Sequence, residues 1–335
     1  MRRPPGGEAD RDGRAPIGRP YDSVHAKYVL RGDLTMQAAK KTRGNSFLHN
    51  DNVVGYIFAA PFIISLLCLS LIPMALSLYY SFCDYKIGMI PDWIGARNYV
   101  NLLGDATFGN SLLVTIQYVA IGVPLKLVFA LFVAMLLTRP TRVQGFYRAV
   151  YYIPSLIGGS VAVALVWKQL FGSRGPVVSL VKMLGVKNFN FFGSTTWAFL
   201  PLVLCNAWQF GSSMLIFASG LKQISKEYYE AAEIDGAGAV KRFFRITLPI
   251  LSPIILFNLI MQLISGFMTF TQAQIITDGG PNYATNYIAL NIFKEGFAFQ
   301  HMGYACAQSW VMLLIMAAVT GIIFKTSSHW TFYEN

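Results

Sequence analysis

The sequence predicts an all-α, polytopic membrane protein with six transmembrane helices. Of the 335 residues, 54% are hydrophobic and only 13% are charged, whereas soluble domains carry about 25% charged residues. A helix that crosses a bilayer needs about 20 mostly apolar residues. Six runs in the chain meet that requirement, at residues 53–83, 106–138, 149–171, 188–221, 246–277 and 302–324.

The segment before the first apolar run has a different composition. Residues 1–52 hold ten Lys and Arg and few apolar residues, a composition typical of a largely disordered extension. Because the first apolar run begins near residue 53, it does not have the layout of a cleavable signal peptide. We therefore predict an N-terminal extension at 1–52, a six-helix transmembrane domain at 53–325 and a short tail at 326–335.

The positive charges predict the orientation of the chain. If the N-terminus lies inside, the inner segments carry 19 Lys and Arg and the outer loops carry seven. Basic residues are enriched in cytoplasmic loops, so both termini are predicted to be cytoplasmic. This distribution also explains the net charge of +11 without a nucleic-acid partner.

Several functional classes are disfavoured by what the apolar runs lack. All sixteen Asp and Glu lie outside the six runs, whereas proton-driven carriers usually bury such groups in the membrane. The chain has no G-x-x-x-x-G-K-[ST] phosphate loop, so its energy must come from another chain or from an existing gradient. The four Cys and four His have no metal-ligand or disulfide spacing. We therefore predict no catalytic site, no metal and no cofactor bound by this chain.

Residues 222–249 carry the most informative pattern, KQISKEYYEAAEIDGAGAVKRFFRITLP. Ser225 is predicted to cap a short helix that ends at Asp235-Gly236. A second helix is predicted over 237–245, and Pro249 is predicted to open the fifth span, since a missing N–H costs little at a helix start. The segment is thus a helix–turn–helix between two spans.

This segment resembles the EAA loop of binding-protein-dependent ABC importer permeases. The family pattern is E-A-A, three residues, Gly, nine residues and I-x-L-P, and this chain has Glu230-Ala231-Ala232, Gly236 and Ile246-Thr-Leu248-Pro249 at those spacings. Shorter stretches at 93–99, 152–154 and 277–285 resemble the carbohydrate branch, of the maltose and glycerol-phosphate type. The resemblance covers roughly residues 50–325.

The resemblance implies the type I ABC importer permease fold and a set of partners. In such permeases the loop fits a groove in an ATP-binding subunit, which transmits movement to the spans. The coupling residues carried over are Glu230, Ala231, Ala232, Asp235 and Gly236. The implied partners are a second permease chain, two ATP-binding subunits that hold ATP and Mg, and an extracytoplasmic solute-binding protein. The implied location is the bacterial inner membrane.

Polar residues inside two spans are candidates for a substrate pathway. Asn258, Gln262, Ser265, Thr269 and Gln272 follow spacings of 4, 3, 4 and 3, which place them on one helix face. The fourth span adds amide side chains beside aromatic residues, a combination that suits sugars. The predicted pathway residues are Asn206, Gln209, Asn258, Gln262, Ser265 and Thr269. Hydrogen bonding between helices is an equal alternative for the polar face of the fifth span.

Lys126 is the one charge well inside an apolar run. Its ammonium group either snorkels or pairs with backbone carbonyls, or it is a counter-charge for an acidic substrate. An anionic saccharide is therefore left open as the cargo, beside a neutral sugar or oligosaccharide.

Two other functional classes are compared with the importer permease. A gradient-driven secondary carrier of a polar solute would work without ATPase subunits, and it is disfavoured by the absence of acidic residues in the spans. A membrane-embedded enzyme would need clustered His, Asp, Glu or Cys near the membrane plane, which the sequence does not contain.

Overall fold

The computed structural model describes residues 51–138, 143–186 and 189–332. The chain forms two compact units, Met1–Ile72 and Pro73–Asn335. Almost all of the predicted extension at 1–52 lies outside the described residues, as do the last three residues of the predicted tail. The three-part division of the chain therefore stays a prediction.

The described part of the first unit is helical. Helix α1 covers Asp51–Leu66, a π turn follows at Leu67–Leu71, and α2 (Ile72–Ser81) begins at the last residue of the unit. Large apolar side chains such as Tyr56, Phe58 and Leu69 are exposed. Exposed apolar side chains on a run of this length are typical of a helix that faces lipid.

The second unit is also almost entirely helical. A two-residue strand pair, β1 (Cys83–Asp84) and β2 (Asp92–Trp93), is antiparallel, with Cys83 opposite Trp93. The helices are α3 (Arg97–Gly104), α4 (Ala106–Leu137), α5 (Gln144–Ile157), α6 (Val161–Phe171), α7 (Pro176–Met183), α8 (Phe199–Trp208), α9 (Gly211–Leu221), α10 (Lys226–Ile234), α11 (Ala239–Arg242), α12 (Leu248–Phe267), α13 (Ile288–Phe293) and α14 (Met302–Ser327). Further π turns lie at Phe243–Thr247, Ala273–Thr277 and Lys294–Ala298.

Helix α4 forms the centre of the second unit and packs against α8, α9 and α12. Asp105 caps its start, where Oδ1 accepts hydrogen bonds from the backbone N–H groups of Thr107 and Phe108 at 2.8 and 3.2 Å. Small residues allow the neighbouring helices to approach closely. A Cβ built on Gly266 of α12 would lie 3.0 Å from the side chain of Val119.

Four helical segments are long and apolar enough to cross a membrane without a break: Gly55–Ser81, Ala106–Leu137, Ala239–Phe267 and Met302–Ser327. Two further apolar pairs are bent, Gln144–Ile157 with Val161–Met183 by 93° and Phe199–Trp208 with Gly211–Leu221 by 42°. The all-α membrane fold is confirmed, and the predicted count of six holds when each bent pair is one span.

The breaks follow from the local sequence. In the third span, Gly158-Gly159-Ser160 follows α5, and Ser160 starts the next helix by accepting a hydrogen bond from the N–H of Val163 at 3.4 Å. Glycine disfavours a continuous helix, and a serine cap favours a new start. In the fourth span the break falls at 209–210, immediately before Gly211.

The fifth span ends earlier than predicted. Helix α12 stops at Phe267 rather than near residue 277, and a separate π turn follows at Ala273–Thr277. The hydroxyl of Thr269 donates to the carbonyl oxygen of Ser265 at 3.3 Å, and such local side-chain bonds compete with the helical ladder. The predicted continuous polar face is therefore wrong beyond the helix end, since Thr269 and Gln272 lie in the following segment.

A buried polar network attaches the segment after the fifth span to α4 and α14. The amide of Asn286 donates to Ser111 Oγ at 2.9 Å and to Asn291 Oδ1 at 3.0 Å. Asn291 in turn donates to Gln308 Oε1 of α14 at 3.1 Å. These groups are buried, and buried polar groups of this kind need one another as partners in an apolar environment.

Candidate functional site

A polar cavity of about 230 Å³ lies within the second unit. Helix α4 contributes Tyr118 and Lys126 to its wall, and the broken fourth span contributes Asn206 and Gln209. Other lining residues come from the bend of the third span and from the end of α12 onward, namely Gly159, Ser265, Met268, Thr269, Phe270, Thr271 and Gln272. The cavity thus gathers amide, hydroxyl, ammonium and aromatic groups in one place between apolar helices.

Lys126 is the charged group of this cavity. The residue is 6% exposed, and its Nζ donates to Asn206 Oδ1 at 3.4 Å, a long hydrogen bond. Within the described part of the chain, no carboxylate lies within salt-bridge distance of it. A lysine at the centre of a membrane helix costs about 2.5–3.5 kcal/mol on insertion scales, so this position carries a cost that its protein contacts offset only weakly.

Hydrogen bonds stabilise the breaks of the third and fourth spans, which form part of the cavity wall. The hydroxyl of Ser155 donates to the backbone carbonyl of Gln209 and accepts from the N–H of Ser212, both at 3.0 Å. The side-chain amide of Gln209 donates to the carbonyl of Cys205 at 3.1 Å. Backbone groups released by the break therefore find partners, as buried polar groups in a membrane protein must.

The bend of the third span lies directly beside the fourth. Gln272 donates to the carbonyl oxygen of Gly158 at 3.1 Å. A Cβ on Gly158 would overlap the side chain of Gln209, so the absence of a side chain at this position permits the contact. The bent third span, the broken fourth span and the segment after α12 thus meet at one edge of the cavity.

Four of the six predicted pathway residues come together at this cavity: Asn206, Gln209, Ser265 and Thr269. Asn258 and Gln262 are not among its lining residues. Asn258 is 1% exposed and donates to the carbonyl of Ile254 at 3.1 Å, so its amide sits in the helix packing.

The predicted pathway set missed three polar contributors to the wall, Tyr118, Thr271 and Gln272. Tyr118 lies on α4 two helical turns before Lys126, with Gly122 between them, so the i, i+4, i+8 spacing around the lysine would have found it. Gln272 belonged to the polar face of the fifth span but not to the predicted pathway set. Its place in the wall depends on the bend after α12, which has no clear sequence signal.

The loop between the fourth and fifth spans is the second candidate site. Helix α10 (Lys226–Ile234) starts as predicted, because Ser225 Oγ accepts a hydrogen bond from the N–H of Glu227 at 3.3 Å. The predicted turn is also present, with Gly236 at a φ of +74°. This left-handed conformation favours glycine over residues that carry a Cβ.

The second half of the loop differs from the prediction. No separate helix covers 237–245 with a new start at Pro249; instead α11 (Ala239–Arg242) continues through the π turn Phe243–Thr247 into α12 as one helical segment, Ala239–Phe267. Pro249 lacks the N–H that a helix interior requires. A π turn directly before it changes the local hydrogen-bond pattern, which lets the helix pass through.

The loop presents a surface that the described residues do not cover. Glu230, Ala231, Asp235 and Gly236 are exposed, and Ile234 is 88% exposed. Ala232 is half-buried. Contacts on the other side of α10 hold it in place, since Tyr229 Oη lies 2.9 Å from Thr247 Oγ1 and Glu233 pairs with Arg242 at 3.1 Å. An exposed apolar and acidic surface on a fixed helix is suited to a protein partner.

Comparison with known proteins decides the family. Residues 108–330 match the family described as the binding-protein-dependent transport system inner membrane component. This chain belongs to that family. It is therefore a multi-pass transport permease and not an enzyme, and the predicted family is confirmed. Membership also decides against the gradient-driven carrier, because the family works with a binding protein.

Individual relatives agree with the family. The permease is 48% identical over 302 residues to the probable ABC transporter permease protein YesP of Bacillus subtilis, covering 89% of this chain and 97% of the relative. It is 31% identical to the probable starch degradation products transport system permease protein AmyD of Thermoanaerobacterium thermosulfurigenes, covering 80% of this chain and 91% of the relative. A chain of a bacterial ABC transporter that imports the acidic polysaccharide alginate has a TM-score of 0.70 at 20% identity, covering 85% of this chain and 98% of that chain. That likeness establishes the importer permease fold.

Proposed function

We propose that this permease forms the translocation pathway for a sugar or oligosaccharide in an ATP-driven importer. The observation that carries the proposal is the polar cavity between its helices, where Asn206, Thr269 and Gln272 present amide and hydroxyl groups beside Tyr118 and Phe270. Sugar hydroxyls need hydrogen-bond partners, and the C–H faces of a sugar ring pack on aromatic rings. AmyD is named for the transport of starch degradation products, which supports a saccharide cargo here.

The remaining parts of the importer are proposed from the family. An extracytoplasmic binding protein delivers the cargo, and a second permease, a different chain, completes the pathway. Two ATP-binding subunits hold ATP and Mg and hydrolyse the nucleotide. Both termini of this permease are proposed to face the cytoplasm of a bacterial cell, because the inner segments then carry most of the Lys and Arg.

The exposed loop residues Glu230, Ala231, Asp235 and Gly236, with half-buried Ala232, are proposed to receive the movement of an ATP-binding subunit. Helix α10 stands at the start of the continuous segment Ala239–Phe267. Ser265, near the far end of that segment, lines the cavity. A displacement at the loop therefore has a rigid helical connection to the cavity wall.

The experiment reconstitutes the permease with its partner permease, ATP-binding subunits and binding protein in vesicles, and measures ATP-dependent uptake of a saccharide panel. Replacing Asn206 and Thr269 together by Ala is expected to reduce uptake at least about tenfold, since two polar contacts to the cargo are removed. The control is Gln169→Ala, which removes an exposed amide of α6 outside the cavity. Uptake unaffected by the double substitution, or absent for every saccharide in the wild type, contradicts the proposal.

A further inference from the structure

We infer that the polar cavity is an anion subsite, in which Lys126 and Asn206 hold the carboxylate of an acidic sugar residue. The inference rests on the proposed function and names its cargo more closely, as a saccharide that contains a uronic acid. Lys126 supplies the charge, and the amide of Asn206, at 3.4 Å from the ammonium, supplies the adjacent polar group.

The charge balance of the cavity supports an external anion. The lining residues include Lys126 but no Asp, Glu or His. Of the residues that the structure describes, none forms an ion pair with Lys126. A cation in a membrane interior is usually paired with an anion or with several carbonyl oxygens. The described residues therefore leave the counter-charge of Lys126 to a group that enters the cavity.

The hydrogen bonds of the Lys126 ammonium group also support an external anion. An ammonium has three donors, and the described residues give Nζ one acceptor, the long contact to Asn206 Oδ1. This contact lies inside the cavity and not at a helix end, so the side chain does not snorkel toward water. Pairing with backbone carbonyls, the other structural explanation, would require short contacts that the hydrogen bonds of the described residues do not include.

A carboxylate fits the surrounding donors. It accepts several hydrogen bonds, and Tyr118 and Ser265, which carry hydroxyl groups, line the same cavity as Lys126. A neutral sugar offers hydroxyl groups to the wall but leaves the ammonium uncompensated. The cavity therefore favours an acidic sugar over a neutral sugar of the same size.

The test measures direct binding to the assembled permease and ATPase complex, without the binding protein. The probes are D-glucuronate, its uncharged methyl ester and D-glucose, which share a ring and differ at one group. Wild-type protein is expected to bind glucuronate about tenfold or more tightly than the methyl ester, because a charge-assisted hydrogen bond is lost in the ester. This comparison uses only the wild-type protein, so its result does not depend on whether a variant folds.

Variants then assign the effect to Lys126. Lys126→Gln is expected to lower glucuronate affinity about tenfold or more and so to remove the preference for glucuronate over its methyl ester, while Lys126→Arg retains that preference. Lys168→Gln is the matched control, since Lys168 is an exposed basic residue in the last turn of α6 and does not line the cavity.

Three results would overturn the inference. The first is equal affinity for glucuronate and its methyl ester, and the second is unchanged glucuronate binding in Lys126→Gln. The third is displacement of bound glucuronate by inorganic sulfate as effectively as by glucuronate itself. The last result would mean that the cavity takes any anion. These outcomes are separate from a failure of the proposed function, which would appear as the absence of uptake of every saccharide by the complete importer.

Discussion

The side-chain amide of Gln272 donates a hydrogen bond to the backbone carbonyl of Gly158 at 3.1 Å, across 114 residues of chain. The bond joins the bend of the third span to the segment that follows the fifth, and both line the same cavity. Gly158 is also in contact with Gln209 at the break of the fourth span. Three interrupted helical regions therefore share one junction, so a change at Gly158 should affect all three.

Substitution of Gly158 tests this junction. A Cβ at Gly158 would overlap the Gln209 side chain and lie 2.6 Å from the carbonyl oxygen of Pro154. We expect Gly158→Ala to destabilise the permease by about 1–3 kcal/mol, the usual cost of overpacking, measured as a lower melting temperature in detergent. Gly159→Ala is the matched control for stability, because a Cβ there meets no atom within 4 Å. Equal melting temperatures of the two variants would contradict the packing argument.

Substitution of Ser155 tests how the broken fourth span is stabilised. Its hydroxyl bridges the carbonyl of Gln209 and the N–H of Ser212. Ser155→Ala leaves both backbone groups without this partner, so we expect a loss of about 1–3 kcal/mol, observed as faster amide hydrogen exchange around residues 209–212. Ser179→Ala is the control. The Ser179 hydroxyl donates to the carbonyl of Gly175 one turn earlier and bridges no helix break, so its loss should hardly change stability. Unchanged exchange in Ser155→Ala would show that the bridge is dispensable.

Asp105 has two separate roles that a double-mutant cycle can resolve. Oδ1 caps α4, and Oδ2 accepts a hydrogen bond from the hydroxyl of Tyr304 at 2.7 Å. Asp105→Ala should lower thermal stability by about 1–3 kcal/mol, because it removes both the cap and the acceptor. Tyr304→Phe removes only the second bond and should cost less. Additive effects of the two substitutions would refute a direct interaction between these residues.

Gly236 tests the coupling loop. Its φ of +74° disfavours any residue with a Cβ by about 1–2 kcal/mol, and the cost is greater for a β-branched side chain. We expect Gly236→Val to shift the turn after α10 and so to reduce both co-purification of the ATP-binding subunits and ATP-driven uptake. Gly238→Ala is the control, since Gly238 has a φ of −66° and open space around its Cα. Full assembly and normal uptake by Gly236→Val would remove Gly236 from the coupling role.

Some parts of the structure were predictable because they depend on neighbouring residues. The cap at Ser225, the turn at Gly236 and the unbroken helix Ala106–Leu137 follow from local signals or from uninterrupted apolar sequence. The end of the fifth span was not predictable in this way. Residues 268–277 contain five Thr and Gln but no Gly or Pro that would mark a helix end. The contact of Gln272 with the carbonyl of Gly158 joins residues far apart in the chain, so the local sequence does not specify it.

The residues of the cavity were also predictable only in part. Asn206, Gln209, Ser265 and Thr269 were predicted from polarity inside apolar runs, and all four line it. Asn258 has the same polarity and spacing but is buried in helix packing. Polarity alone does not say whether an amide bonds the backbone of its own helix, as Asn258 does with Ile254, or faces a cavity, as Asn206 does.

The sequence by itself determined that this protein is an α-helical membrane permease. The backbone N–H and C=O groups of a long uncharged run in lipid find their hydrogen-bond partners by forming a helix, and the EAA pattern lies within one short stretch of the chain. It also located the uncompensated lysine. The tertiary structure alone decided which polar groups meet around Lys126, and that two of the spans are bent. The physical reason is that these outcomes depend on contacts between residues far apart in the chain, such as Lys126 with Asn206 and Gly158 with Gln272, which no local pattern specifies.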